Sequence, residues 1–263
     1  MSSVPTIYDL PDGWRLATFH TLDGTNAEMK RFVVDGRDHV EGLIMRSDEQ
    51  TAGRGRLGRT WVSPRGNVYA SFLIAAPEAA IAPQIGFVAV VSVIDALGQI
   101  AELPLRCKWP NDVLLNGKKV CGILPELVSD AAGQQWLVLG IGINLQPVNV
   151  AEAAYPVTSL ADHGVAASAD TVVRILAQDL AHRLRQWREE GFATISKAWM
   201  AAGPALDEVI AVRMPGAADT RRGRFRGLDE QGALVLEADG QTHRIFAGEV
   251  LFQSPPEARA GVA

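Results

Sequence analysis

Glycine and arginine interleave in Gly53-Arg54-Gly55-Arg56-Leu57-Gly58-Arg59-Thr60-Trp61, and a tryptophan closes the run. Glycine lets main-chain N–H groups approach a ligand with no Cβ in the way. Arginine adds a planar fork of donors suited to carboxylate and phosphate oxygens. A loop with both properties is built to close over an anion. Two later stretches carry chemistry of the same kind. One is Lys108-Trp109-Pro110-Asn111-Asp112-Val113, followed by Gly117-Lys118-Lys119-Val120-Cys121-Gly122-Ile123-Leu124 and Glu126; the other is Gly140-Ile141-Gly142-Ile143-Asn144-Leu145. Arg54, Arg56, Arg59, Lys108 and Lys119 together supply five cations, the means of neutralising charge that builds on a phosphate in a transition state.

Other readings of these letters fail on context. Gly53-x-Gly55-x-x-Gly58 fits the dinucleotide fingerprint only in outline, because Arg54, Arg56 and Leu57 crowd the pyrophosphate positions. Ser63-Pro64-Arg65-Gly66-Asn67 then stops any helix that would have to open there. No Gly-x-x-x-x-Gly-Lys loop, Gly-x-Ser-x-Gly elbow or Cys–His signature is present, so neither a standard phosphate loop nor covalent catalysis by the enzyme is indicated. An ordinary solvated basic loop would explain the arginines but not the glycine spacing or Trp61.

In this order and spacing the three stretches resemble the catalytic core of biotin–protein ligases, over a span from about Asp23 to the C-terminal strands. The resemblance implies ATP-dependent activation of biotin to biotinyl-5′-AMP, then transfer to a lysine of a biotin carboxyl carrier protein. It implies ATP and Mg2+ as cofactors and places catalysis on Lys119, Arg56 and Asp112, with Asp112 orienting or deprotonating the incoming amine. Biotin falls to Gly24, Thr25, Asn26, Gln50, Gly53, Arg54, Gly55, Arg56, Lys119 and Gly122. The nucleotide falls to Arg56, Arg59, Trp61, Lys108, Asn111 and Asn144. Two positions depart from the family pattern: Gly24 stands where serine is usual, and Leu57 where a further arginine is often found. The residues that would hold the metal stay open, as does the oligomeric state, a homodimer included. Some biotin ligases begin with a DNA-binding repressor domain; a first strand near Trp14 leaves no room for one, so ligase activity alone is expected. The rivals are a lipoate–protein ligase, which shares the chemistry, and a non-enzymatic nucleic-acid module built on the loop and Arg221-Arg222-Gly223-Arg224-Phe225-Arg226. Lys108-Trp109-Pro110-Asn111-Asp112 beside the glycine–arginine loop favours biotin.

The composition agrees. A chain of 263 residues, 48% hydrophobic, can bury a full core, and a net charge of −5 argues against a general nucleic-acid binder. Cys107 and Cys121 form no Cys-x-x-Cys pair and suit a reducing cytoplasm. Five scattered histidines make no zinc pattern. No targeting segment or apolar run of spanning length appears, so no membrane partner is expected.

The elements that must position these residues read as follows. Strands are expected over 14–20, 42–46, 67–74, 105–109 and 136–144, with a hairpin turning on Asn116-Gly117. Helices are expected from Thr25, which with Glu28 forms a capping box, from Pro83 to about Glu102, from Thr171 to Glu190 with Asp170 as N-cap, and over 192–200. Gly203-Pro204 marks a boundary, after which strands at 208–213, 221–228, 233–238 and 242–246 read as a small SH3-like β-barrel. The fold class is α+β, a mixed and largely antiparallel sheet with packed helices. The domains are then 1–203, catalytic, 204–253, the barrel, and 254–263, a disordered tail.

Overall fold

The computed structural model describes residues 5–37, 40–78, 81–150, 155–215 and 220–251; the expected tail lies outside them. In chain order the elements are β1 (Thr6–Asp9), β2 (Arg15–Leu22), α1 (Thr25–Val34), β3 (Leu43–Gln50), β4 (Val68–Ala75), α2 (Gln84–Ile100), β5 (Leu105–Lys108), β6 (Asp112–Leu115), β7 (Lys118–Ser129) and β8 (Gln135–Ile143). Then come α3 (Ala169–Glu190), α4 (Phe192–Ala202), β9 (Val209–Arg213), β10 (Thr220–Leu228), β11 (Leu234–Ala238), β12 (Gln241–Ile245) and β13 (Glu249–Leu251). Eight strands make one sheet in the order β1-β2-β3-β4-β8-β7-β6-β5. Its neighbours are antiparallel except β2 and β3, which run parallel because α1 carries the chain back across the sheet.

Hydrophobic residues bury both faces of that sheet. On one side α2, apolar on nearly every face, packs against α3 and α4. On the other, Met29 and Val33 of α1 seat a smaller cluster on Phe19, Met45, Leu73 and Val138. The first core runs on past Gly203: Trp199 of α4 stacks edge-on with Phe87 of α2 at 5.7 Å and leans on Phe225 of β10 at 6.4 Å. Trp109 donates its indole N–H to Gly232 O at 3.2 Å, joining the sheet to the C-terminal strands a second time.

Several expectations need correction. The first strand is β1, not the one near Trp14; all four of its residues are exposed, so no apolar alternation marks it. Gly24, not Thr25, precedes α1, and no capping box forms. The reason is tertiary: Gln50 Oε1 accepts the Thr25 N–H at 2.9 Å, while Glu28 turns to Arg31 at 2.7 Å. Ser168 rather than Asp170 caps α3, its Oγ accepting the Thr171 N–H at 3.1 Å. β3 extends to Gln50 because it stays in register with β2 to Leu22. The expected barrel is an antiparallel sheet in the order β12-β11-β10-β9-β13, and no pairing of its end strands closes it among the described residues. Its last strand, β13, was not legible.

Local chemistry holds elsewhere. Asn116 (φ 49°) and Gly117 (φ 74°) adopt the two left-handed conformations that a tight hairpin turn requires, and Asp239 and Gly240 repeat them. The arginines of β10 face solvent, where Arg226 pairs with Asp207 and Glu237. No helix among the described residues is long and apolar enough to cross a membrane. Removing an N-cap side chain costs about 1 kcal/mol. Ser168→Ala should lower the unfolding free energy by about that amount in denaturant titration, and Asp170→Ala by less.

Candidate active site

The sheet registers explain where the cavity lies. Tyr69 faces Gly142, which faces Gly122; one step along, Ser71 faces Gly140, which faces Leu124. Paired residues share a face, so three glycines clear the α1 side of the sheet just beyond the apolar cluster under that helix. The space is taken up from above. Trp61 lies across two of them, for a Cβ on Gly142 would sit 2.6 Å from its ring and one on Gly122 2.9 Å. A Cβ on Gly140 would meet the Asn26 amide. Around this floor opens a cavity of about 980 Å³, lined by the start of α1, the glycine–arginine loop, the turn after β5, and β13.

The loop itself is a folded hook. Gly55 N–H bonds Arg59 O at 2.7 Å and Trp61 N–H bonds Gly53 O at 3.0 Å, with Leu57 (φ 57°) and Gly58 (φ 72°) making the turn. Leu57 is exposed at its tip. Gly53 does not line the cavity; a Cβ there would lie 2.5 Å from Trp61 O, so its glycine serves the packing of the hook.

One end of the cavity is polar and neutral. Gln50 Oε1 accepts from Thr25 N, and Gln50 Nε2 donates to Ser63 Oγ at 2.9 Å, which donates to Trp61 O at 2.8 Å. Asn26 Nδ2 donates to Leu124 O at 3.1 Å and Glu126 Oε2 at 2.8 Å, and Lys30 Nζ reaches Glu126 Oε1 at 2.7 Å. Burial pushes the Glu126 carboxyl upward, but Lys30, Asn26 and Arg54 outweigh it and hold the group below the usual carboxylate range.

The other end gathers charge. Lys119 Nζ lies 2.7 Å from Asp112 Oδ1, on the strands joined by the Asn116-Gly117 turn. Lys108, with no exposed surface, sits 3.8 Å from Asp112 Oδ2, 3.1 Å from Glu249 Oε1 and 3.8 Å over the Tyr155 ring. Burial pushes the Lys108 ammonium down; Asp112 and Glu249 resist. Arg56 donates to Asn111 Oδ1 at 2.9 Å, and burial lowers its pKa as well. Arg59 reaches Glu249 Oε2 at 3.2 Å. A cluster of four cations and two carboxylates therefore faces or backs one end of a single cavity, an arrangement with the excess positive charge to meet an anion.

Two family models match the chain. "Biotin/lipoate A/B protein ligase family" covers residues 39–144, and "Biotin protein ligase C terminal domain" covers 208–253. A biotin--[acetyl-CoA-carboxylase] ligase of Paracoccus denitrificans is 39% identical over 88% of this chain and 97% of that one. The chain belongs to the biotin–protein ligase family. The bifunctional ligase/repressor of Escherichia coli is 32% identical over 92% of this chain and 75% of its own length. Among solved structures, the biotin protein ligase of Aquifex aeolicus in complex with biotin and ATP superposes with a TM-score of 0.77 at 30% identity, covering 90% of this chain and 97% of that one.

Within this ligase the expected residues divide. Gly24, Thr25, Asn26, Gln50, Arg54, Gly55, Arg56, Arg59, Trp61, Asn111, Asp112, Lys119, Gly122 and Asn144 line the cavity together. Lys108 and Gly53 stand behind its wall. Asn144 is almost buried and donates to Thr158 O at 3.1 Å, fixing the strap that crosses Lys119. Ser71, Tyr155 and Glu249 belong to the site's framework without any signal in the sequence, because only the sheet order, the strap that crosses Lys119 and the C-terminal strands bring them there. No three Asp, Glu, His or Cys side chains among the described residues gather to hold a metal.

Gly142→Ala tests the floor. The added methyl must displace the Trp61 ring, and misplacement of that size costs about a hundredfold in rate. Adenylate formation should fall by that order while circular dichroism stays unchanged.

Proposed function

We infer that this chain is a biotin–protein ligase that activates biotin with ATP and transfers it to a lysine of a biotin carboxyl carrier domain. The observation that carries the reading is the two-ended cavity itself: a neutral hydrogen-bonding end at Thr25, Asn26 and Gln50, and a cationic end at Arg56, Lys119 and Arg59, on one glycine-cleared floor. Biotin has that division, with a ring that hydrogen-bonds and a carboxylate that must meet a phosphate. In the first step the carboxylate oxygen attacks the α-phosphorus and pyrophosphate leaves. In the second, a neutral lysine amine attacks the acyl carbon and AMP leaves.

Each residue has a role that its surroundings support. Lys119 neutralises the biotin carboxylate and the α-phosphate, and Asp112 orients it before the anions arrive. An amine that enters here meets the same carboxylate, which gives Asp112 a second role in orienting the acceptor lysine. Arg56, anchored on Asn111, reaches the adenylate phosphate from the loop. Trp61 and Asn111 offer surface for the nucleotide, Asn144 supports it by fixing the strap at Thr158, and Lys108 acts from behind by holding Asp112 and Glu249. Among the described residues no separate cage of ligating side chains gathers, so magnesium would enter on the ATP phosphates and one or two carboxylates at the cationic end would complete its shell. The family's barrel and a homodimer belong to the same reading as finer points.

Pyrophosphate release from ATP should depend on biotin and not respond to lipoate. Lys119→Ala should reduce it by at least about a hundredfold, with circular dichroism unchanged; full activity would remove the lysine from the mechanism.

Arg56 separates making the intermediate from keeping it. A charge-assisted hydrogen bond contributes roughly 1.5–3 kcal/mol, which is about ten- to a hundredfold in escape rate. Arg56→Gly should still form biotinyl-AMP but release it, so that a bystander protein with no acceptor domain becomes biotinylated. Wild-type levels of bystander labelling, with adenylate forming, would show that Arg56 is not the latch.

A further inference from the structure

We propose that Ser71, which does not touch the cavity, sets the direction of the Thr25 hydroxyl and so makes the neutral end of the site selective for a ring N–H. The proposal rests on the ligase reading and adds a positioning residue to it. Ser71 is fully buried on β4, behind Thr25 and Asn26. Its Oγ lies 2.6 Å from Asn26 Oδ1 and 2.8 Å from Thr25 Oγ1.

The proton order follows from groups that can only accept or only donate. Both acceptors opposite Asn26 Nδ2, the Leu124 carbonyl and the Glu126 carboxylate, lack protons of their own. The Glu126 carboxylate is kept ionised by Lys30 at 2.7 Å. The Asn26 amide is therefore held with Oδ1 toward Ser71. A hydroxyl has one proton, and Ser71 gives it to Oδ1. With the Ser71 proton on Oδ1, the Thr25 proton is left two acceptors, Ser71 Oγ at 2.8 Å and Gln50 Oε1 at 3.3 Å. The neighbouring Gln50 is fixed independently, because the Thr25 main-chain N–H can only donate and so claims Oε1. The other neighbour of the Thr25 hydroxyl, Gln50 Oε1 at 3.3 Å, is likewise an acceptor, one that already takes the Thr25 N–H. Either way the proton is committed to a protein acceptor. Thr25 lines the cavity, and with its proton so committed its hydroxyl has only lone pairs left to offer a ligand there.

A lone pair held in place accepts an N–H and repels an oxygen. Biotin carries two ring N–H groups in its cyclic urea. An analogue in which one of them is a ring oxygen, a cyclic carbamate, has nearly the same shape and the opposite polarity at that atom. Without Ser71 the Thr25 hydroxyl keeps only the longer Gln50 contact at 3.3 Å, and its proton can turn outward to meet that oxygen, so discrimination should relax.

The experiment compares kcat/KM for biotin and for the two isomeric carbamates, by pyrophosphate release, in wild type and Ser71→Ala. The preference of wild type for biotin over at least one isomer should fall by about tenfold in the variant, the effect of one misdirected hydrogen bond. The KM for ATP should stay close to wild type, while the melting temperature falls by a few degrees as Asn26 Oδ1 loses its donor. Ser71→Cys keeps the volume with a weaker donor and should give an intermediate ratio; it carries the same comparison if the alanine variant does not fold. A ratio unchanged in both variants, or a loss shared equally by biotin and both carbamates, would show that Ser71 only packs. A wild type inert toward biotin would instead overturn the ligase reading itself, and this role with it.

Discussion

Three missing side chains shape this molecule. Gly122, Gly140 and Gly142 leave a bare patch on an otherwise close-packed sheet, and everything above it is arranged to use the space. Because the patch lies in the middle of the sheet, on β7 and β8, material must reach it from several directions. The start of α1 comes from one side, the glycine–arginine hook from another, and the turn after β5 from a third. Had those strands carried β-branched residues there, as buried strands usually do, Trp61 and Asn26 would have no seat and the cavity no floor.

Charge is then distributed by depth. Lys108 has no contact with water, which is costly unless opposite charge is close. Asp112 and Glu249 supply it, and Tyr155 covers what remains. Since Asp112 also holds Lys119, and Glu249 also holds Arg59, the buried lysine fixes two carboxylates that in turn place two cations nearer the cavity. The C-terminal sheet is drawn into the site by this means, through Glu249 on its last strand. Burial keeps the pKa of Lys108 low while Glu249 is held below the usual carboxylate range, burial notwithstanding, by Lys108 and Arg59. Lys108, Asp112, Glu249, Lys119 and Arg59 form one cluster in which each charge faces an opposite one.

The neutral end works differently. No net charge is needed there, only an order of donors and acceptors, and that order is set by main-chain groups whose role is not negotiable. Leu124 O can only accept and the Thr25 N–H can only donate. Side chains between them inherit a direction. This is also why α1 has no capping box: the side chain of Gln50, from a neighbouring strand, occupies the donor that a local cap would have used.

Much of the site was legible in the letters, and for a local reason. Turn chemistry at Asn116-Gly117, glycine–arginine spacing, and the lysine and asparagine stretches act within a few residues, so their types and intervals survive as a pattern. The periodic apolar faces of α2 and α3 were readable for the same reason. What the pattern could not carry was who meets whom across the sheet. Ser71 is an ordinary serine until β4 pairs with β8; Glu249 is an ordinary glutamate until β13 lies against β9 and faces Lys108. Thr25 looked like a helix cap because the sequence shows only its neighbours, whereas its partner stands 25 residues away. The exposed strand β1 and the short β13 left no hydrophobic trace, so pairing alone defines them. The sequence by itself determined which groups line the cavity; the order of the strands decided which buried polar atoms hold them in place, because a hydrogen bond between distant residues exists only after the backbone has brought them together.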